Sequence, residues 1–236
     1  PEEVKQAQLD HVMNFVNQGS MVDERVLIIG GSRGIGNVAS KIAAVAGAEV
    51  LITYHRSKNK VDALVEQLKE MDLNAQSVKF DVLSNNVSAI KKFASFMPSV
   101  VMYFATPPIQ ASLEPFEPNL FKTYNKYYIH AFEKLLRAIH ETSIKPFDVL
   151  IPSSVYVEDS PENFKEYAAS KAAAEQLAIS LNNSMKHVKC HIHRFPRVLT
   201  DQTVGILDIK HKQPLTYVLD AFEKIRPKAR IRNTAS

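Results

Sequence analysis

Short, almost uninterrupted apolar runs recur along the chain and alternate with longer stretches in which apolar residues have helical spacing. The run at 26–29 is typical of a strand buried on both faces of a parallel sheet. Similar runs predict strands at 49–53, 75–80, 100–104, 147–151 and 188–193. The intervening periodicity predicts helices at 37–46, 61–71, 87–96, 120–140 and 167–185. This alternation predicts an α/β fold, in which helices cover both faces of a doubly wound parallel sheet.

Three other segments complete the predicted organisation. Apolar spacing at 4–16 predicts a leading helix within an extension at 1–20. Prolines interrupt the pattern at 106–119 and 158–164, which we interpret as loops. Both follow strand ends, where open α/β sheets bind ligands. Because neither a linker nor an internal repeat is evident, residues 1–236 are predicted to form a single domain.

A glycine-rich turn directly follows the first predicted strand, with the sequence Gly-Gly-Ser-Arg-Gly-Ile-Gly at 30–36. Glycine lets the backbone bend tightly and approach a pyrophosphate, and the free N–H groups at the start of the next helix favour an anion. Between a buried strand and a helix, such a turn predicts dinucleotide binding in a Rossmann fold. The predicted contacts in the turn are Gly30, Ser32, Arg33, Gly34, Ile35 and Gly36.

The end of the second strand indicates which dinucleotide is bound. An NAD site usually has an acidic residue there for the ribose hydroxyls, whereas this chain has Tyr-His-Arg-Ser at 54–57. The guanidinium groups of Arg33 and Arg56 suit a 2′-phosphate, so the sequence predicts NADPH. Asp81 and Val82 are predicted to meet the adenine edge, although an Asp at a strand end is also ordinary turn chemistry. The other predicted contacts in this region are Tyr54, His55 and Ser57.

A tyrosine and a lysine, Tyr167 and Lys171, lie at the start of the last predicted helix. A spacing of four places both side chains on one helix face. A fixed positive charge lowers the pKa of a phenol from its usual value near ~10, which predicts that Tyr167 is a general acid. Ser154, in the preceding segment, can hydrogen-bond the same substrate oxygen. Tyr54 and Lys58 repeat the spacing, but that copy closes a strand and no serine pair precedes it.

The composition and charge of the chain limit which ligands, partner molecules and cellular locations are expected. Of the 236 residues 45% are apolar, enough for one large core, and the net charge is +4. The basic residues are scattered, which disfavours nucleic-acid binding and fits an anionic ligand or an acidic carrier protein. No apolar run approaches the roughly 20 residues of a membrane span, and no signal-peptide pattern is present at the start of the sequence. The single cysteine, Cys190, fits a reducing compartment, so a cytoplasmic location is predicted.

Together these residues resemble the short-chain dehydrogenase/reductase family over roughly 26–200. The turn at 30–36 is similar to the cofactor turn of that family, and Ser154, Tyr167 and Lys171 are similar to its catalytic triad. The resemblance implies that Lys171 holds the ribose hydroxyls and lowers the tyrosine pKa. It also implies that Tyr167 protonates a carbonyl oxygen that Ser154 orients, with hydride coming from NADPH.

The same resemblance implies two further cofactor contacts, and the chain departs from the usual family sequence at two places, in the fourth strand and in the helix after it. Ala105 is similar to a fourth-strand alanine beside the cofactor, and Pro196 to a proline that touches the carboxamide end of the nicotinamide. The usual Asn-Asn-Ala-Gly of the fourth strand is replaced by Tyr-Phe-Ala-Thr at 103–106. Where the family carries an asparagine that anchors a proton-relay water, the alignment places Tyr128, with Asn125 one turn earlier. The missing asparagine leaves the route of proton resupply open. The glycine-rich closing segment that often mediates tetramers in this family is absent after Thr200, which leaves the oligomeric state open.

Three functions are compatible with the resemblance. The chain is similar to a ketoreductase unit of a polyketide or fatty-acid multienzyme, which implies a β-ketoacyl thioester on an acyl carrier protein as substrate. The segment 152–156 and Glu175 resemble the sugar-nucleotide epimerase branch, but that branch carries a further domain of about a hundred residues and ranks second. A catalytically decayed domain that only binds the cofactor is the third possibility, motivated by the two departures.

Two other groups of residues invite a functional interpretation. A metal site is not predicted on the strand at 188–193, because alternation places Cys190 opposite His191 and His193 and no zinc-binding spacing is present. The aromatic residues at helical spacing are interpreted either as core or as lining of a substrate cleft. They are Phe121, Tyr124, Tyr127, Tyr128 and Phe132.

Overall fold

Six parallel strands form one sheet in the computed structural model, which describes residues 9–113, 115–143, 145–196 and 214–231. The strands are β1 (Arg25–Ile29), β2 (Glu49–Tyr54), β3 (Ala75–Lys79), β4 (Val100–Tyr103), β5 (Phe147–Ser154) and β6 (Val188–Phe195). Their order in the sheet is β3-β2-β1-β4-β5-β6, with every neighbouring pair parallel. The predicted doubly wound sheet is thereby confirmed.

Helical segments connect these strands. They are α1 (Leu9–Met13), α2 (Gly34–Val45), α3 (Lys58–Lys69), α4 (Val87–Phe96), α5 (Pro118–Asn125), a π-helix (Lys126–Ala131), α6 (Phe132–Thr142), α7 (Tyr156–Asp159), a 3₁₀-helix (Glu162–Phe164), α8 (Lys165–Ser184) and α9 (Pro214–Ile225). None of the helices in the described part of the chain is long and apolar enough to cross a lipid bilayer.

The apolar faces of these helices pack on the two sides of the sheet. On one side α1, α2, α3 and α9 share a core with alternate residues of the central strands, such as Ile28 and Val50. On the other side α4, α6 and α8 pack against the residues that point the opposite way, such as Leu27 and Leu51. The central strands are buried on both faces, which is why their sequences are nearly continuous in apolar residues.

Several segments differ from the sequence-based prediction. The helix predicted at 120–140 is helical throughout, but one π-helical turn interrupts it. The loop predicted at 158–164 contains part of α7 and the 3₁₀-helix, and α9 was not predicted. Strands β5 and β6 extend further than predicted, to Ser154 and Phe195. Only the part of the predicted leading helix from Leu9 onward lies within the described residues.

Candidate active site

The glycine turn lies at the carboxyl ends of β1 and β4, where the strand order reverses. Gly30 has a φ of +83°, and a Cβ placed on it would lie 3.1 Å from the backbone nitrogen of Ala105. A Cβ on Gly36 would lie 2.3 Å from the carbonyl oxygen of Gly30. Both glycines are required because the turn folds against its own backbone and against the segment after β4.

Helix α2 begins inside the glycine turn, so its amino end lies at the carboxyl ends of β1 and β4. Its N-cap is Arg33, in an extended conformation, and no side chain caps the first turn. A helix start without a side-chain cap has backbone N–H groups and a positive dipole end available for an anion. Gly34 and Ile35 supply two of these amides, and Ser32 lies buried just before them. These residues fit the pyrophosphate of a dinucleotide.

The end of β2 lies against the glycine turn. The N–H of Gly31 donates to the carbonyl of Thr53 at 3.0 Å. Two cationic side chains are exposed at this edge, Arg33 in the turn and Arg56 after the strand. Nearby, His55 Nε2 lies 3.6 Å from Asp81 Oδ2. The structure therefore places the predicted guanidinium groups and Asp81 at one edge of the sheet.

Three predicted cofactor contacts have local structural roles as well. Asp81 Oδ1 accepts a hydrogen bond from the N–H of Leu83 at 3.0 Å, which is the turn chemistry considered above. Ser57 is the N-cap residue of α3, and its side chain makes no capping hydrogen bond. Val82 packs against the core and lines a mainly apolar cavity of about 400 Å³ between α4 and α6. The contacts of Val82 thus favour a packing role.

The predicted catalytic residues meet where β5 and α8 approach each other. Ser154 is the last residue of β5, and Tyr167 and Lys171 lie on successive turns of α8. Ser154 lies close enough to Tyr167 for its hydroxyl to lower the pKa of the phenol. Ser154 Oγ also accepts a hydrogen bond from the N–H of Tyr156 at 3.2 Å, which orients its hydroxyl group. The structure therefore brings the serine and the tyrosine together as the sequence predicts.

The Tyr167 phenol is deeply buried, with 9% of the residue exposed. The rings of Tyr124, Tyr128 and Tyr156 pack edge-on against it, with centroids 5.6, 6.0 and 6.3 Å away. Burial raises the pKa of Tyr167, and the nearby Ser154 hydroxyl lowers that pKa in part. Burial thus opposes the lowering expected from Lys171, and it keeps the phenol in the protonated form that a general acid needs.

Lys171 is buried beside the phenol. Its Nζ donates to the carbonyl of Pro152 at 2.7 Å and lies 5.7 Å from the centre of the Tyr167 ring. Burial lowers the pKa of the Lys171 amine to about 7, whereas the carboxylate of Glu175 raises that pKa. An amine with such a pKa can take up or release a proton near neutral pH, next to the phenol.

An ion-pair cluster that sequence reasoning did not predict joins the elements of the site. Arg194, near the end of β6, donates from Nε and Nη2 to the two carboxylate oxygens of Glu175 at 2.7 and 2.6 Å. Ser153, next to Ser154, donates to the same carboxylate at 2.5 Å. Arg194 also pairs with Glu158 of α7. The carboxylate of Glu175 therefore connects β5, β6 and α8 around the catalytic residues.

Replacement of Glu175 tests this connection. Because Glu175→Leu removes the acceptor of both Arg194 and Ser153, we expect the free energy of unfolding to fall by about 1–3 kcal/mol. Urea denaturation measures it. The matched control is Glu158→Gln, whose side chain is 71% exposed, and for which a loss below about 0.5 kcal/mol is expected. Equal losses in the two variants would contradict the structural role of Glu175.

A second unpredicted residue, Glu166, anchors the start of α5. It is fully buried, and its Oε1 accepts a hydrogen bond from the N–H of Glu117 at 2.6 Å. The adjacent proline-rich segment is held at the same place, since the N–H of Ser112 donates to the carbonyl of Asn163 at 2.9 Å. The loop predicted at 106–119 thus borders the catalytic residues and is tied to the start of α8.

Two other expectations concern neighbouring residues. The aromatic residues Tyr124 and Tyr128 form a cluster with Tyr167, so they line the site as well as the core. Pro196 directly follows β6, whose last residue accepts a hydrogen bond from the N–H of Val155 at 3.1 Å. Pro196 therefore lies close to the Ser154 segment.

Among the described residues, no group of three or more His, Cys, Asp or Glu side chains is arranged to hold a metal ion.

Comparison with known proteins adds a sequence match for the glycine-turn side of the fold. Residues 24–101 match the family described as short chain dehydrogenase. The matched residues include β1 to β3 and the glycine turn, but they end before Ser154, Tyr167 and Lys171. The roles of these three residues therefore stay predictions.

Solved structures of short chain dehydrogenases and related reductases share the whole fold. A 3-oxoacyl (acyl-carrier-protein) reductase from Agrobacterium tumefaciens with NADP bound is 19% identical, with a TM-score of 0.75 over 86% of this chain and 87% of that one. The angucycline C-6 ketoreductase LanV with bound NADP is 15% identical, with a TM-score of 0.77 over 90% and 92%. FolM alternative dihydrofolate reductase 1 from Brucella suis, in complex with NADP, is 15% identical, with a TM-score of 0.74 over 88% and 90%. No curated protein matches the chain. At these identities the structures establish the fold.

Proposed function

We propose that the protein is an NADPH-dependent carbonyl reductase of the short-chain dehydrogenase/reductase family. The observation that carries the proposal is the convergence of Ser154, at the end of β5, with Tyr167 and Lys171 of α8. Lys171 Nζ donates to the carbonyl of Pro152, two residues before Ser154, at 2.7 Å. Strand β5 ends, and helix α8 begins, at the same edge of the sheet as the glycine turn. An acid, an orienting hydroxyl and a cation beside a dinucleotide site are the groups that carbonyl reduction needs.

In this mechanism the residues bind, orient and donate a proton. The glycine turn and the start of α2 would hold the pyrophosphate of NADPH, and Lys171 would hold its ribose hydroxyls. The cofactor, when bound, would supply the hydride for the carbonyl carbon. Ser154 orients the carbonyl oxygen, and Tyr167 donates its proton to that oxygen, so the product is an alcohol. Burial of the tyrosine cluster excludes water from the phenol and maintains its protonated form.

The choice of NADPH is supported by the two exposed guanidinium groups, Arg33 and Arg56, at the edge where the adenosine ribose would lie. Replacement of Arg56 by alanine tests it. If Arg56 binds the 2′-phosphate, Arg56→Ala is expected to weaken NADPH binding about 10–100-fold, the range for one charge-assisted hydrogen bond, and to leave NADH binding unchanged. Fluorescence titration measures both affinities.

A distant arginine supplies the control for this experiment. Arg137 is paired with Glu133 on the surface of α6, away from the glycine turn, so Arg137→Ala is expected to change neither affinity. Equal binding of NADPH and NADH by the wild-type protein would contradict the choice of cofactor.

For the substrate we favour a β-ketoacyl thioester carried by an acyl carrier protein. Lys122 and Lys126 are exposed on the α5–π-helix segment, which follows the loop at 106–119 in the chain, and their charge suits an acidic carrier. Among the proteins with the same fold is a reductase of 3-oxoacyl carrier-protein thioesters. The test compares the rates of NADPH oxidation with a β-ketoacyl thioester, with simple ketones and with a nucleotide sugar. The thioester is expected to be reduced fastest. Faster turnover of the nucleotide sugar would contradict this choice of substrate.

A further inference from the structure

The ammonium group of Lys171 lies against the face of a second tyrosine, Tyr128. Its Nζ is 3.9 Å from the centre of the Tyr128 ring, a distance at which the negative face of the ring attracts a cation. The same Nζ donates to the carbonyl of Pro152 at 2.7 Å. The cation is therefore held between a backbone carbonyl of β5 and an aromatic face from the opposite helix.

The Tyr128 ring is fixed in this orientation from several directions. Its hydroxyl lies 2.5 Å from Thr106 Oγ1, which donates its own hydrogen to the carbonyl of Pro107, so Tyr128 is the donor to Thr106. The ring of Tyr124 stacks parallel to it at 5.9 Å. Tyr128 itself is 4% exposed. A ring held at its edge and at one face cannot turn away from Lys171 without the loss of both contacts.

The backbone that carries Tyr128 is also specifically held. Tyr128 lies within the π-helix, whose wider turn differs from the α-helices on either side. The Tyr103 hydroxyl, at the end of β4, donates to the carbonyl of Tyr127 in that turn at 2.8 Å. Single π-helical turns within α-helices are frequent at functional sites. The local irregularity thus coincides with the residue that contacts Lys171.

We infer that Tyr128 is a positioning residue for Lys171, whose ring face holds the buried ammonium in its charged form beside Tyr167. The catalytic consequence depends on the proposed reductase activity, but the contact itself does not. If the ring acted only as core packing, its replacement would alter stability and leave the titration of Lys171 unchanged.

Other titratable groups surround the pair and define the controls. On α8 itself they are Tyr167 and Glu175, whose carboxylate raises the pKa of Lys171. Strand β6 contributes Arg194, which is paired with Glu175. Tyr124 comes from α5 and Tyr156 from α7, and both rings contact Tyr167. A change at Tyr128 must therefore be compared with a change at one of these neighbouring rings.

Titration of Lys171 in the free protein tests the inference. Lysines labelled with ¹³C at Cε are followed by NMR against pH, and the Lys171 signal is identified by its loss in Lys171→Arg. In Tyr128→Leu we expect the pKa of Lys171 to fall by about one unit, since the charged form loses its aromatic partner. In Tyr128→Phe, which keeps the ring, we expect a change below about 0.3 units. A control variant, Tyr156→Leu, removes a ring that contacts Tyr167 instead of Tyr128 and should leave the titration unchanged.

Fluorinated phenylalanines at position 128 keep the shape of the ring and weaken its negative face. Relative to Tyr128→Phe, the pKa of Lys171 should fall as fluorine atoms are added, even if Tyr128→Leu does not fold. Equal pKa values across the fluorinated series, or equal shifts in Tyr128→Leu and Tyr156→Leu, would overturn the inference.

The activity measurement separates this inference from the proposed function. With turnover present, the alkaline limb of kcat/KM should move to lower pH in Tyr128→Leu by the same amount as the pKa of Lys171. If no ketone is reduced, the proposed function fails, while the lysine titration still decides the role of Tyr128.

Discussion

Replacement of Tyr167 by phenylalanine is expected to abolish NADPH oxidation and to leave NADPH binding intact. The substitution removes the hydroxyl that lies near Ser154 and retains the aromatic ring that packs among the other tyrosines. General acid catalysis contributes about 10²–10⁴-fold to a rate, so kcat should fall by at least about a hundredfold. The decrease in NADPH absorbance with a β-ketoacyl thioester gives kcat, and fluorescence titration gives the affinity.

A neighbouring phenol provides the control for Tyr167→Phe. Tyr156 also lies in the aromatic cluster and packs edge-on against Tyr167, so Tyr156→Phe removes a phenol oxygen from the same surroundings. We expect Tyr156→Phe to reduce kcat less than about threefold, since Tyr156 is not a proton donor in the mechanism. Full activity in Tyr167→Phe would remove Tyr167 from the role of acid.

Replacement of Gly36 by alanine is expected to eliminate NADPH binding. The added Cβ would lie 2.3 Å from the carbonyl oxygen of Gly30, and both atoms belong to the turn that receives the pyrophosphate. A backbone oxygen cannot move aside as the end of a flexible side chain can, so the turn must open and its amides lose their alignment. We expect the NADPH affinity to fall by at least about a hundredfold, which fluorescence titration measures, together with a loss of stability.

Gly47→Ala separates the loss of binding from the loss of stability. Gly47 has a φ of +95° at the end of α2, far from the start of that helix, so alanine is strained there as well. This variant should be destabilised by about 1–3 kcal/mol and bind NADPH with unchanged affinity. If the two variants lose affinity in parallel, the effect of Gly36→Ala is one of stability and the glycine turn is not the cofactor site.

Elements whose signals are local were predicted well. Helix α4 has the predicted bounds because Asn86 caps its start, accepting a hydrogen bond from the N–H of Ala89 at 3.0 Å, and Met97 ends it with a φ of 47°. Strand β1 was predicted because its sequence is nearly continuous in apolar residues. The π-helix could not be predicted in this way, since it coincides with a hydrogen bond between Tyr103 and Tyr127, which come from separate elements.

In the candidate site, too, the residues with a local sequence signal were predicted, and the residues held by contacts between elements were missed. Tyr167 and Lys171 were found because four residues are one helical turn, and the glycine turn because only glycine fits its backbone. Glu166 and Arg194 were missed because their partners lie far away in the sequence: Glu166 binds the backbone of Glu117, and Arg194 pairs with residues of α7 and α8. Spacing along one element reveals chemistry within that element, whereas contacts between elements require the fold.

Transfer of deuterium from the cofactor is the most direct measurement of the proposed activity. The wild-type protein is incubated with a β-ketoacyl thioester and with NADPH deuterated at one or the other face of the nicotinamide C4, and the mass of the alcohol product is determined. The account predicts that one of the two cofactors gives an alcohol heavier by one mass unit and that Tyr167→Phe gives none. NADPH that binds but transfers deuterium to no ketone or thioester from either face would contradict the account.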